Sequence, residues 1–228
     1  MADIVKKIHN SKPDIFRSSI VQNNFKRLAV ISRPTETDPI IAFPSAITSR
    51  IAEYIDNEGY RLMLGYDGWM EYVFNKYFKD RKEIYIPWNG FQNKFDFEDN
   101  VILPGLAAIE KMKEIANQVS PVFNTFDHET QLKIICNGCK LLGKDLDMPV
   151  DFVFSYYPTE YERYVVHTDL NDILHFTLAM AYHYNIPIFN LYDLQGAFQL
   201  KEFLDSRKRD IFDGNETIPE ITGGRFTT

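Results

Sequence analysis

With 228 residues, 45% of them hydrophobic, the chain is long enough to bury a sizeable core and short enough to do so as one α/β domain. Its net charge of −7, with Lys and Arg scattered apart from Arg207-Lys208-Arg209, excludes a broad duplex-DNA surface, which needs clustered cations and little competing acid. No stretch approaches the ~20 apolar residues that span a bilayer, and Met1 to Lys7 lacks the apolar centre of a signal peptide. A cytoplasmic protein without a membrane partner is expected. Cys136 and Cys139 cannot supply a disulfide framework and suit a reducing compartment.

Residues 1–24 form an N-terminal extension. Phe25 to Ser32 reads as a short buried strand ended by the polar, proline-bearing loop Arg33 to Pro39. From Pro44 to Glu58, Ile47, Ile51 and Ile55 recur four apart before Gly59, the pattern of an amphipathic helix with a glycine stop. Tyr60 to Leu64 is a second strand, Trp69 to Phe78 a helix, and Glu83 to Ile86 a third strand closed by Pro87. This alternation has the spacing of right-handed parallel crossovers.

Asn89 to Asn100 is rich in Phe, Asn and Asp without periodicity, a long loop and hence a candidate surface for a partner or a ligand; a protein partner or homo-oligomer is also possible for the chain. Helices are expected over Pro104 to Val119 and His128 to Leu142, the latter ending at Gly143. Val150 to Tyr156 is a fourth strand, Asn171 to Tyr184 a helix, Pro187 to Leu191 a fifth strand and Leu194 to Leu204 a closing helix. Ser206 to Thr228 is a polar tail, which leaves 25–205 as the folded unit. The fold class is a single three-layer, Rossmann-like α/β domain with a mainly parallel sheet of about five strands and helices on both faces.

The turn after the second strand, Gly65-Tyr66-Asp67-Gly68-Trp69-Met70, brings bare backbone N–H groups to the carboxyl edge of the sheet, where phosphates and nucleotides bind. Tyr66, Trp69 and Met70 crowd it. Asp67 and Glu71, four apart, could activate water or hold a ribose, but acids in a helix's first turn are favoured simply by its dipole, and that reading comes first. Ser32-Arg33 offers a phosphate fork or a solvated loop arginine. Tyr157 leaves the fourth strand at the same edge, where an aromatic ring can stack a base.

Other motifs read as structural. Cys136 and Cys139 share the apolar stripe of their helix with Leu132, Ile135 and Leu142, so buried thiols without metal are expected; a redox pair would sit at a helix start. His167, His175 and His183 drift by about 80° per step and form no metal face. No cofactor is expected.

With these elements placed, the chain resembles the SLOG superfamily, the Rossmann-like group of DprA-like DNA-processing proteins and LOG-like phosphoribohydrolases. It is most similar to the short phage-encoded members. Ser32-Arg33 resembles the end of the Gly-Ser-Arg after the first strand, and Gly65, Asp67 and Gly68 resemble part of the glycine-acid turn after the second. Ile84 to Trp88 resembles the Ile-Tyr-Leu-Pro-Trp strand. Asn137, Leu142-Gly143, Asp145-Leu146 and Pro149 follow the helix-to-strand pattern, and Ile186 to Leu191 resembles the last strand. The likeness covers about Leu28 to Leu191.

Two departures stand out. Met70 replaces the second acid of the turn, with Tyr66 and Trp69 in place of alanines, and Thr168-Asp169-Leu170-Asn171-Asp172-Ile173 stands where the family has a Gly-Gly-Thr turn. Side chains beyond Cβ fill the space a phosphate needs. The resemblance thus implies a phage-type protein of the host cytoplasm that binds a nucleotide-derived molecule in a degenerate, non-catalytic site. Ser32, Arg33, Gly65, Tyr66, Asp67, Gly68, Trp69 and Tyr157 are its expected lining. The rival expectations are an N-glycosidic hydrolase using Asp67 and Glu71, and a virion-associated or host-interacting protein with the old site filled.

Overall fold

Short runs with no polar face make the strands. Arg27–Ser32 (β1) is buried at all six positions, as a central parallel strand covered on both faces must be. Pro44–Asn57 (α1) leads to Arg61–Leu64 (β2), and Trp69–Tyr77 (α2) to Lys82–Tyr85 (β3). The two-residue strand Val101–Ile102 (β4) precedes Leu106–Val119 (α3) and His128–Leu142 (α4). Phe152–Tyr156 (β5), Ile173–His183 (α5), Ile188–Asn190 (β6) and Leu194–Asp213 (α6) complete the order. The computed structural model describes residues 26–32, 44–65, 69–157, 172–192 and 194–213.

The six strands form one all-parallel sheet in the order β4-β3-β2-β1-β5-β6. β1 pairs with β2 from Leu28 opposite Leu62, and with β5 from Leu28 opposite Phe152 to Ser32 opposite Tyr156. The period of two splits the core. Leu28, Val30, Leu62, Leu64, Phe152 and Phe154 face α1, α2 and α6, whereas Ala29, Ile31, Met63, Tyr85 and Val153 face α3, α4 and α5. The first face is dense in rings, with Phe74 and Phe152 each 5.2–5.3 Å from Phe154. The chain is therefore a single Rossmann-like α/β domain, and its strand order reverses between β1 and β5.

Capping agrees with the sequence. Gly59, at φ 84°, ends α1 in a Schellman motif: its N–H donates to Asp56 O and that of Tyr60 to Ile55 O. Asp127 caps α4 by accepting from Thr130 N at 2.8 Å. Two readings change. β4 follows directly on the expected loop and raises the strand count from about five to six; two residues carry no periodicity by which to be read. The closing helix continues to Asp213, so 206–213, expected in the tail, are helical. The N-terminal extension and residues 214–228 lie outside the described residues.

Candidate functional site at the carboxyl edge of the sheet

In open α/β sheets ligands bind outside the carboxyl ends of the strands where the order reverses, which here is the edge around β1, β2 and β5. The sequence-predicted residues gather along it. Ser32 ends β1, Gly65 follows β2, Glu71 lies in the first turn of α2 and Tyr157 follows β5. Arg33, Tyr66, Asp67 and Gly68 lie outside the described residues, as does the side chain of Trp69.

Ser32 and Glu71 are turned inward. The Ser32 hydroxyl donates to Glu71 Oε2 at 2.7 Å and accepts from Met70 N at 3.2 Å, so the last residue of β1 satisfies one of the orphan donors that open α2. Glu71 is only 2% exposed. Its Oε1 lies 3.6 Å from Lys140 Nζ, and that ammonium also donates to Val30 O at 2.9 Å. Lys140 is a residue of α4 with 0% exposure. Its side chain crosses the carboxyl edge from one face of the sheet to the other.

Gly65 makes the crossing fit. A Cβ there would lie 2.7 Å from Asn137 Oδ1, 3.1 Å from Lys140 Cδ and 3.2 Å from Lys140 Nζ, distances that carbon does not tolerate without movement. The bare Cα expected to admit a phosphate admits the chain's own lysine. Next to it, Asn137 Nδ2 donates to Thr177 Oγ1 at 3.1 Å, and the Thr177 hydroxyl is committed to Ile173 O at 2.6 Å. This relay fixes the amide orientation and turns Asn137 Oδ1 toward Gly65. Oδ1 is buried with no hydrogen-bond partner, as is Ser155 Oγ on β5.

At the start of α5, Asp172 is the N-cap and accepts from His175 N at 2.8 Å. A carboxylate thus sits where a phosphate would. Tyr157 is 7% exposed and packs into the core on the α3–α5 side. Its backbone is clamped by Asn190, whose Oδ1 accepts from Tyr157 N and whose Nδ2 donates to Tyr157 O. Little of the ring is left to stack on a ligand.

The thiols are buried on α4, and burial pushes Cys139 up to about 12 and Cys136 higher still, the latter helped by the charge of its neighbour. Among the described residues no three His, Cys, Asp or Glu side chains gather as a metal would need, and no helix is long and apolar enough to cross a membrane. Sequence reasoning missed Lys140. Its signal was a lysine four residues beyond Cys136, on the apolar stripe of the helix.

Fold and edge together define a Rossmann-like domain of the kind that carries its site at the strand reversal. Compared with known protein families, curated proteins and solved structures, the chain matches none.

Proposed function

We propose that the chain is a SLOG-type protein, phage-encoded by resemblance, that binds a nucleotide-derived molecule at the carboxyl edge without hydrolysing it. One observation carries the loss of catalysis: the Glu71 carboxylate, held by the Ser32 hydroxyl and the Lys140 ammonium, is closed to water. A general base must reach the proton it takes, and an N-glycosidic hydrolase must set an acid against the ribose to stabilise charge developing there. Glu71 does neither from inside a buried pair. Asn137 Oδ1, locked toward Gly65, supports a remaining capacity to accept from a ligand N–H or O–H group, because a buried acceptor left bare costs about 1–3 kcal/mol.

The test is incubation with a panel of nucleoside monophosphates, following free base by chromatography and binding by calorimetry. Binding without base release supports the reading. Base release that vanishes in Asp67→Asn or Glu71→Gln overturns it in favour of the hydrolase. The crossing of Lys140 over Gly65 favours a second reading, a virion-associated or host-interacting protein whose site has been filled, and absence of binding across the panel selects it.

A further inference from the structure

The loop singled out in the sequence for its aromatic residues is not used by the carboxyl-edge site, yet it is tightly built. Asn89 Nδ2 donates to Asp96 Oδ1 at 3.0 Å and Asp96 N to Asn89 Oδ1 at 3.2 Å, while Phe95 N donates to Glu98 Oε1 at 2.8 Å and Gly90 N to Lys94 O at 2.8 Å. This ordered loop holds Phe97 out to solvent at 80% exposure, its ring stacked on Phe95 with centroids 5.3 Å apart. Leu106, at the start of α3, is 81% exposed. No large apolar side chain among the described residues is more exposed than these two. Beside them runs an open groove of about 760 Å³, walled by Pro87 and Trp88 after β3, by Ile102 and Pro104 at the edge strand β4, and by Leu106 and Ile109 of α3. Asp96 and Lys144 put one charge of each sign on its lining.

We infer that this face pairs with the same face of a second copy of the chain, across the β4 edge of the sheet. An isologous contact needs one patch that is complementary to itself, and this patch carries both parts. Phe97, next in the chain to the lining residue Asp96, projects at 80% exposure, and Leu106 projects from the wall of the hollow itself. Its charges also suit a two-fold axis, which sets Asp96 of each copy against Lys144 of the other. A loop ordered by its own hydrogen bonds loses little freedom on docking, so the contact keeps more of the gain from burying the rings. Exposed rings concentrated on one rigid patch mark an interface where single scattered ones would not. The inference is independent of what binds at the carboxyl edge.

Sedimentation velocity of the full chain across the micromolar range tests it. The expected result is a monomer–dimer equilibrium that Phe97→Ser weakens about a hundredfold, roughly tenfold at each of two symmetric positions. Lys144→Glu, which sets like charges against Asp96, also weakens it, most at low salt. Both positions are on the surface, so melting temperature and circular dichroism serve as controls that the monomer is intact. A monomer at every concentration overturns the inference. So does a dimer indifferent to Phe97→Ser and Leu106→Ser, or an assembly that grows past two copies, since an open-ended contact is not two-fold.

Discussion

Replacing Lys140 by Met keeps most of the stem that passes Gly65 and removes only the charge. Two effects compete for the outcome. Were the Lys140–Glu71 pair a surface ion pair, its loss would cost about 0–1 kcal/mol. Both side chains are closed to solvent, at 0% and 2%, so the relevant case is a buried carboxylate stripped of its cation, which costs about 3–5 kcal/mol. Ser32 still donates to Glu71 Oε2, which places the estimate toward the lower end, and the loss of the donor to Val30 O moves it back up. Against a typical total of about 5–15 kcal/mol for a domain, the variant should melt about 10 °C lower, at about 2–4 °C per kcal/mol for a chain of this size.

Urea unfolding followed by circular dichroism measures this, with a second variant as the control. Lys140→Met with Glu71→Gln removes both charges while leaving an acceptor for the Ser32 hydroxyl, and should return to within about 1 kcal/mol of the parent, because a buried pair replaced whole is often neutral. A single variant that costs less than about 1 kcal/mol would show that water reaches the pair. A double variant as unstable as the single would show that packing of the stem, not charge, sets the cost. Either result refutes the argument.

Gly65→Ala should cost about 1–3 kcal/mol, as overpacking does, because its Cβ meets Asn137 Oδ1 and Lys140; the penalty should shrink in a Lys140→Ala background, and equal penalties in the two would place the strain elsewhere. Alkaline stability follows from the thiols: Cys139 is raised from 9.0 to about 12 by burial, so its contribution is intact below about pH 9 and is lost as pH rises toward 12. The fall in unfolding free energy over that window should be shallower by about 1.4 kcal/mol per pH unit in Cys139→Ala; parallel pH curves for the two proteins would mean that the thiol is open to solvent.

The elements that repeat a physical pattern were legible, and those defined by a single long-range contact were not. α4 was read to the residue because an apolar stripe and Gly143 at its end agree. β4 escaped because its two residues pair only with β3, Ile84 opposite Val101 and Tyr85 opposite Ile102, and nothing local marks them. At the edge, the sequence gave reason to bring Ser32, Gly65 and Glu71 together, since each ends a strand or opens a helix. Nothing local brings in a lysine from the last turn of a helix, 75 positions beyond Gly65.

That asymmetry bears on whether the proposed site is open or filled. Tyr66, Trp69 and Met70 depart, in sequence, from the turn that the resemblance leads one to expect. Lys140 comes in from another element, and a Cβ at Gly65 would meet it. Gly65 is therefore no evidence that a phosphate binds: its missing Cβ is required by Asn137 and Lys140 whatever the ligand. What separates a binding site from a filled one is the demand left over once the lysine is in place. Asn137 Oδ1 is that demand. Its amide cannot turn to escape, because Thr177 is already donating to Ile173 O and can only accept from Nδ2. A side chain that served packing alone would more cheaply be apolar at this position, since an unmet buried acceptor is a cost that no core requires.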